Sequence, residues 1–364
     1  MKSIQTVFVG IFLLCGSSLR AQDFGEIIAA GTQDANTYFE NYMAPALNSF
    51  GNGLANGWYN TAKAHKTLGV DLTVSFNIAK IPVEERTFAF ITGDYLNMTL
   101  SGDADGQLPT LVGGDAEVGS QITISSSAPI DFGGQTVVLE EDINFDVPGG
   151  IINLDEIPVV TGLPTPTVHL GIGIYKNTDL KIRYMPEINT GDFSLKMFGI
   201  GILHDVKQWI PGIKNLPFDL SGFFGTSKIT AAYTIADFST TQSGSAAQTT
   251  FSGSGSAEFV SSATTVQALI SKKLLVFTPY AGIGFNIVNS SIKLLGDYTY
   301  EIQPTIGNTR TYDITNPVDL NFSGSGGPRF TIGGRLKLAV FTFHFDYTAQ
   351  KYSTISAGMG ISVR

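Results

Sequence analysis

Two places in the chain bring a histidine and a carboxylate together. His344 and Asp346 lie two positions apart in a run that alternates apolar and polar residues, and Asp205 directly follows His204. A histidine base oriented by a carboxylate also needs a nucleophile, and the chain has no G-x-S-x-G motif to supply one. We therefore predict that the protein is not an enzyme and has no catalytic residues. His344 and Asp346 are interpreted instead as part of a polar network inside the fold.

A second group of residues has the chemistry of a calcium site. In the stretch SGDADGQ, Asp103 and Asp105 precede Gly106, as in the first half of a calcium-binding loop. The third acidic position and the closing glutamate are missing. Asp103 and Asp105 are thus candidate calcium ligands, and the alternative is a solvated outer loop. No other metal and no cofactor is predicted.

The start of the chain predicts export. The opening MKSIQTVFVGIFLLCGSSLRAQ has a basic Lys2, an apolar run and a small-residue exit at Ala21, as in a signal peptide spanning residues 1–21. Lipidation of Cys15 is disfavoured because Leu14, rather than a small residue, precedes it. Cys15 is the only cysteine of the 364 residues, so the exported chain has no thiol chemistry. The net charge of −9 argues against a nucleic-acid partner.

The segment after the signal peptide has a helical pattern. Between residues 23 and 50, apolar and aromatic side chains recur at spacings of three and four, which predicts one or two short amphipathic helices. Pro45 and the glycines at 51, 53 and 57 are expected to end them. We assign residues 22–66 to an N-terminal helical or plug segment that precedes the main fold.

From Val70 onward the hydrophobic period changes to two. Strands of about ten residues, with one apolar and one polar, glycine-rich face, are typical of an all-β transmembrane antiparallel outer-membrane barrel. A soluble β-sandwich would also alternate, but its solvent face usually carries more charge than the 15% found here. We predict a barrel of about 12 strands (10–14 possible) over residues 67–364, with long outer loops near 102–166, 237–256 and 290–328. The predicted strands are 70–79, 86–92, 95–101, 167–175, 179–185, 193–204, 217–236, 257–271, 274–289, 329–338, 341–350 and 352–363.

Strand alternation assigns side chains to the interior of this barrel. The predicted pore-lining residues are the charged or ionisable ones on the polar faces, namely Asp71, Lys181, Arg183, Arg335, Lys337, His344 and Asp346. In the lead-in to the first strand, Trp58, Tyr59, Lys63 and His65 are candidate plug or gate residues. Glycine and asparagine around them allow the chain to bend there.

Several longer motifs point to a known group of proteins. The segments NGWYNTAKAHKTLGVDLTV (56–74), HLGIGIYKNTDLKIRYMPEI (169–188), HDVKQWIPGIKNLPFDLSG (204–222) and LKLAVFTFHFDYTAQKYSTISAGMGIS (336–362) resemble an uncharacterised outer-membrane β-barrel family of Bacteroidota-type bacteria. In plan that family is similar to long-chain fatty-acid outer-membrane channels, with an N-terminal segment before the barrel. The resemblance implies the architecture, but it implies no substrate.

Three functions remain open at this point. The favoured one is a porin-like or fatty-acid-channel-like barrel in the outer membrane of a Gram-negative bacterium, which passes a small hydrophobic or polar solute. The first alternative is a sealed barrel that serves as a surface-exposed binding or structural protein. The second is a secreted soluble β-rich adhesin or binding module. Outer-membrane lipid is the expected partner, and the oligomeric state stays open.

Overall fold

A computed structural model describes residues 27–28, 30–102, 105–125, 129–131, 136–137, 142–150, 154, 161–243, 247–304, 308–323 and 325–363. The predicted signal peptide, Asp103 and part of the acidic stretch after Val137 lie outside these residues. The long helix α1 spans Thr32–Leu54, and short 3₁₀ turns occur at Val83–Glu85, Thr92–Asp94 and Lys207–Trp209. No helix among the described residues combines the length and the apolar character needed to cross a membrane.

Nineteen strands are found in the described residues. They are β1 (Val70–Ala79), β2 (Thr87–Ala89), β3 (Met98–Ser101), β4 (Gln107–Pro109), β5 (Gln121–Ile124), β6 (Ile130–Asp131), β7 (Thr136–Val137), β8 (Ile143–Asp146), β9 (Pro164–Gly173), β10 (Thr178–Thr190), β11 (Phe193–Asp205), β12 (Asp219–Ser243), β13 (Ala247–Ser271), β14 (Phe277–Pro304), β15 (Arg310–Thr315), β16 (Val318–Ser323), β17 (Gly327–Leu338), β18 (Phe341–Ala349) and β19 (Thr354–Val363).

Ten of these strands close into an antiparallel ring. The order β1, β9, β10, β11, β12, β13, β14, β17, β18, β19 returns to β1, because β1 pairs with both β9 and β19. Three of the four connections at one rim have two to five residues, as between Leu338 and Phe341, and the fourth, between Asp205 and Asp219, has 13; the other rim carries the long connections from β1 to β9 and from β14 to β17. This barrel confirms the predicted all-β fold, and ten strands fall within the predicted range.

Two predicted wall strands were wrong. Residues 86–92 and 95–101 alternate correctly, but the structure places them outside the ring, where β2 pairs with β4 and β3 pairs with β5. Each of these strands has only three or four residues, which is too short to cross a wall whose strands have nine or more. Alternation indicates that one face of a strand is buried, but it does not indicate which part of the protein covers that face.

The outer surface of the ring is apolar and exposed. On β1, Leu72 and Phe76 point outward at 49% and 41% exposure, while Thr73 and Ser75 between them are almost fully buried. The same pattern holds on β18, where Phe341, Phe343, Phe345 and Tyr347 are exposed and the intervening residues are buried. The belt exposes more apolar surface than a soluble monomer normally does. It matches the lipid-facing band of a membrane barrel.

The belt gives a test with a built-in control. Phe345 lies at the centre of β18 and Phe341 at its short-connection end, and both point outward, at 57% and 55% exposure. In a bilayer, Phe345→Arg is expected to lower the free energy of unfolding by about 2–4 kcal/mol, against about 0–1 kcal/mol for Phe341→Arg. Denaturant titrations in lipid vesicles measure both. Equal small effects of the two substitutions would indicate a protein that is not embedded in lipid.

Above the long-connection rim, the chain builds a second body that we call the cap. It consists of β2–β8, the outer ends of β12–β14, β15, β16 and the first half of α1. Aromatic and aliphatic side chains from most of these parts form one buried cluster, which includes Tyr38, Tyr42, Met98, Ile122 and Tyr298. Asp34 near the start of α1 accepts hydrogen bonds from the backbone of Leu96 and Asn97 at 2.8 and 2.7 Å, and so fixes the helix in the cap.

Helix α1 runs from the cap into the ring. Its first half belongs to the cap cluster, whereas Phe50 and Leu54 near its end pack against inward-facing side chains of β11–β14, such as Met197 and Val288. The following residues continue toward the short-connection rim, where β1 begins. The N-terminal part of the chain therefore fills the interior of the barrel from one end to the other.

Candidate functional site: the filled barrel interior

The end of α1 lies unusually close to the barrel wall. A side chain at Gly51 would place its Cβ 2.2 Å from a methyl carbon of Val288, and one at Gly53 would meet Thr165 Oγ1 at 2.4 Å. Sequence reasoning expected Pro45 and the glycines at 51, 53 and 57 to end helical structure. Helix α1 ends at Leu54, before Gly57, and runs through Pro45, Gly51 and Gly53. These two glycines permit the close approach of helix and wall, and tertiary packing outweighs their low helix propensity.

Two arginines hold the C-terminal end of α1, where backbone carbonyls have no partner within the helix. Arg183 on β10 is fully buried and donates to the carbonyl of Leu54 at 2.7 Å and to the carbonyl of Asn56. Its cation also complements the negative end of the helix dipole. One side chain from the wall thus satisfies two acceptors of the segment that leaves the helix.

Arg329 on β17 does the same from the other side. It donates to the carbonyl of Ala55 at 3.2 Å and to Asn56 Oδ1, which also accepts a bond from Thr348 at 3.1 Å. Thr265 on β13 donates to the carbonyl of Ala55 at 3.1 Å. We call Arg183 and Arg329 the arginine clamp. It binds residues 54–56 to strands on opposite sides of the ring.

Trp58 fills the barrel below the clamp. The indole is 1% exposed, and the guanidinium of Arg183 lies 3.7 Å from its ring centroid, in cation–π geometry. Phe223 packs against it at 5.7 Å between ring centroids. A Cβ at Gly201 or Gly225 would lie about 3 Å from the indole, so these glycines make room for it. The structure therefore places Trp58 inside the ring rather than at its rim.

Tyr59 and Tyr280 continue the filling. The Tyr59 hydroxyl donates to Gln267 Oε1, and the Tyr280 hydroxyl donates to Asp346 Oδ2 at 2.8 Å. The two rings contact each other edge-on at 6.2 Å. Polar partners at the ends of apolar rings allow both tyrosines to be buried. Asp346 on β18 is thereby hydrogen-bonded to Tyr280 on β14, another strand of the wall.

Near the short-connection rim, His65 ends the N-terminal segment between two aspartates. Its backbone N–H donates to Asp179 Oδ1 at 2.7 Å, and its Nδ1 lies 2.8 Å from Asp179 Oδ2. On the other side of the imidazole, His65 Nε2 lies 3.6 Å from Asp71 Oδ1. Lys181 Nζ and His169 Nε2 are 3.6 and 3.4 Å from the Asp71 carboxylate. The segment is therefore held at both ends, by the arginine clamp above and by this cluster below.

All the predicted pore-lining side chains point into the ring. Asp71, Lys181, Arg183, Arg335, His344 and Asp346 are buried, and Lys337 is half-buried, with its Nζ donating to the carbonyl of Ser362 at 2.8 Å. The structure brings Asp71 and Lys181 together and sets Arg183 at the clamp. His344 Nε2 lies 3.3 Å from Ser75 Oγ. Of the predicted plug residues, Trp58, Tyr59 and His65 are buried in the ring, and Lys63 is exposed at the rim. That these residues line a path for solute stays a prediction.

Sequence reasoning missed four residues of this interior. Arg329 and Asp179 share the inward faces of their strands with predicted residues, and His169 alternates with the outward-facing apolar residues of β9, so alternation alone would have found all three. Asn56 was noted only as a bend residue, although it accepts hydrogen bonds from both arginines of the clamp. No sequence signal predicts that role, because the partners are more than 100 residues away along the chain.

Asp105, one of the two candidate calcium ligands, lies between β3 and β4 of the cap. Asp103 is outside the described residues, and Asp105 is exposed, so calcium binding there stays a prediction.

The cap interior itself is apolar. Tyr95 stacks on Phe90 with ring centroids 4.3 Å apart, and burial raises the pKa of Tyr95 to about 12. The tyrosine is thus neutral at physiological pH.

Comparison with known proteins gives a family and distant structural likenesses. The model of a family of unknown function, DUF6588, matches residues 1–363. No curated protein sequence matches. Among solved structures, the translocator domain of the autotransporter NalP from Neisseria meningitidis is similar at 10% identity, with a TM-score of 0.25, over 92% of this chain and 99% of that one. The CymD monoaromatic hydrocarbon channel is similar at 8% identity, with a TM-score of 0.13, over 82% of this chain and 88% of that one.

Proposed function

We propose that this chain, which belongs to the DUF6588 family of unknown function, is a gated outer-membrane channel for small solutes, closed by its own N-terminal segment. The single observation that carries the proposal is the passage of residues 50–65 through the ring, held by the arginine clamp and by the His65 cluster. In this closed state, any solute path through the ring is blocked by Trp58 and Tyr59.

The location follows from the outer surface. Ten strands with an exposed aliphatic and aromatic belt need an apolar solvent, and a closed antiparallel ring leaves no strand edge unpaired in lipid. The two long connections, from β1 to β9 and from β14 to β17, lie at the same rim, as long loops do at the outer face of such barrels. Lipid of the outer membrane is thus the proposed partner of the belt. The cap then lies at the cell surface.

A polar wall beneath the plug supports a water-filled path once the plug moves. Thr73, Ser75 and Asn77 on β1 face inward, and Asp71 and Lys181 lie at the lower end. Such a wall can be hydrated, whereas an apolar wall would collapse or dewet. The wall also contains apolar residues, such as Met197 and Ile229, where α1 packs. The path we propose therefore opens on the β1 side of the ring.

A second function is favoured by a different observation. The plug is fixed by large apolar clusters as well as by the clamp, and the same helix is part of the cap core. An element that holds cap and barrel together in this way can serve as a permanent seal. On this reading, the protein is a closed barrel that presents the cap for binding at the cell surface.

A reversible lock on α1 separates the two functions. The ideal Cβ of Gly51 lies 3.6 Å from the Cβ of Val288, within the range for a disulfide. The exported chain is expected to have no cysteine of its own, so Gly51→Cys with Val288→Cys introduces the only pair. A gated channel should show single-channel openings in planar bilayers when the pair is reduced and lose them when it is oxidised.

The same recordings include a matched control and a positive reference. The double variant under reducing conditions is its own control, because only the covalent bond differs. Deletion of residues 23–65 should give a permanently conducting barrel. If the reduced protein never conducts while the deletion variant does, the seal is permanent and the surface role is correct. If neither conducts, both the channel and the path on the β1 side are wrong.

A further inference from the structure

The cluster around His65 has the composition of a metal site. His65, Asp71 and Asp179 are all buried, and each offers one ligand atom such that these atoms lie within 4.8 Å of one another. Imidazole nitrogen and carboxylate oxygen are ligands that zinc and related divalent transition metals accept together. The three residues come from the N-terminal segment, β1 and β10, which only the folded protein brings together.

Two further observations point to a ligand at this place. Asp71 Oδ1 has no hydrogen-bond partner, although the Asp71 side chain is only 7% exposed. A small cavity is lined by His65, Asp71 and Asp179 and by three cationic side chains, those of Lys181, Arg335 and Lys63, of which Lys63 is exposed at the short-connection rim. A buried carboxylate oxygen without a hydrogen bond thus lies at this cavity, 3.6 Å from both Lys181 Nζ and His65 Nε2.

The distance between His65 and Asp71 fits coordination by a small ion. Two ligands bound to one zinc ion at about 2.1 Å in tetrahedral geometry are about 3.4 Å apart, and His65 Nε2 lies 3.6 Å from Asp71 Oδ1. Asp179 holds the other side of the imidazole through Nδ1 at 2.8 Å. The third ligand atom, on Asp179, lies within 4.8 Å of the other two. To bind one ion together, Asp179 must release its contact with Nδ1, and His65 Nε2 must exchange its 3.3 Å contact with Ser362 Oγ for the ion.

We propose that His65, Asp71 and Asp179 bind a divalent transition-metal ion of the zinc type, which staples the lower end of the N-terminal segment to the barrel wall. The site goes beyond the proposed function and does not depend on it, since it needs only the folded barrel. Lys181 Nζ, 3.6 Å from Asp71 Oδ1, neutralises that carboxylate when the ion is absent. The lysine therefore competes with the metal.

Binding is tested on the purified full-length protein in detergent with ZnCl2. Isothermal titration calorimetry should give one Zn²⁺ per chain. His65→Ala and Asp71→Asn should each weaken binding at least about tenfold, because two ligands hold a divalent ion much less well than three. His204→Ala is the matched control: His204 is bonded to Thr178 and Trp209, away from the cavity, so zinc binding should be unchanged.

Lys181 gives a result that a nonspecific ion would not produce. Removing a cation this close to a ligand should strengthen binding of another cation, so Lys181→Met is expected to tighten the Zn²⁺ affinity about tenfold. The visible absorption of bound Co²⁺ reports the ligand set directly and should disappear in Asp71→Asn. On gels, a variant that fails to fold migrates as slowly without heating as it does after heating. If His65→Ala fails this test, His65→Gln replaces it.

The outcomes are decisive in both directions. One Zn²⁺ per chain, lost with His65 or Asp71 and tightened without Lys181, establishes the site whether or not the barrel conducts. The proposal is overturned if the wild-type protein binds no Zn²⁺, if His65→Ala and His65→Gln bind it as well as wild type, or if Lys181→Met binds it no more tightly.

Discussion

Replacing Arg183 by methionine is expected to release the plug. The substitution leaves the buried carbonyls of Leu54 and Asn56 without their donor. An unsatisfied buried acceptor costs about 1–3 kcal/mol, so the docked state should lose about 2–6 kcal/mol. Single-channel recordings should show a large rise in open probability, and denaturant titration should show the lost stability. Arg183→Lys should recover little, because an ammonium lacks the planar fork that reaches both carbonyls.

The second arginine supplies an internal check on this result. Arg329 bonds the same three-residue segment, through Ala55 and the side chain of Asn56. Once either arginine is lost the segment loosens, so the double substitution should cost less than the sum of the single ones. Lys196→Met is the matched control, since it removes a cation from an exposed pair with Glu187 and should change stability by less than about 1 kcal/mol. Strict additivity of Arg183→Met and Arg329→Met would contradict a shared clamp.

Trp58→Ala is the other change with a large expected effect. The indole is buried against Phe223 and lies under the guanidinium of Arg183. Truncation of a buried tryptophan to alanine costs about 3–5 kcal/mol, because it leaves a cavity as well as losing apolar contacts. We expect a barrel that folds, unfolds at lower denaturant concentration and leaks solute. Unchanged stability would show that Trp58 does not fill the interior.

The chain offers a control and a compensating change for this experiment. Its only other tryptophan, Trp209, is 58% exposed at the rim, so Trp209→Ala should have a small effect. In the Trp209→Phe background, Trp58 is the sole indole, and its fluorescence should become accessible to quenchers only when the plug is released. Gly201→Ala places a methyl 3.1 Å from the indole. It should destabilise the wild type but be tolerated with Trp58→Ala.

The barrel wall is the part of this protein that could be predicted residue by residue. Alternation along β1, β10, β17 and β18 correctly assigned inward and outward side chains, because a strand places successive side chains on opposite faces. It failed for residues 86–101, whose alternation belongs to short strands of the cap. A buried face looks the same in sequence whether it meets a plug, a cap or another strand.

The length of α1 could not be predicted from the sequence, for a related reason. Proline and glycine lower the stability of an isolated helix, so Pro45 and the glycines at 51, 53 and 57 predicted its end, although α1 runs through Pro45, Gly51 and Gly53. Inside the barrel, close packing of those glycines against Val288 and Thr165, together with the arginine clamp, outweighs that cost. Local propensities are worth about 1 kcal/mol per glycine, and buried contacts from several strands exceed them.

By itself, the sequence determined an all-β chain whose strands have one apolar and one polar face, because strand periodicity is a local property that needs no partner. Only the tertiary structure decided that the ring has ten strands, that the N-terminal segment fills it, and that Asn56 and His65 are its points of attachment. These features depend on contacts such as Asn56 with Arg329, 273 residues apart in the chain. Such pairings follow from ring closure, and no local pattern records them.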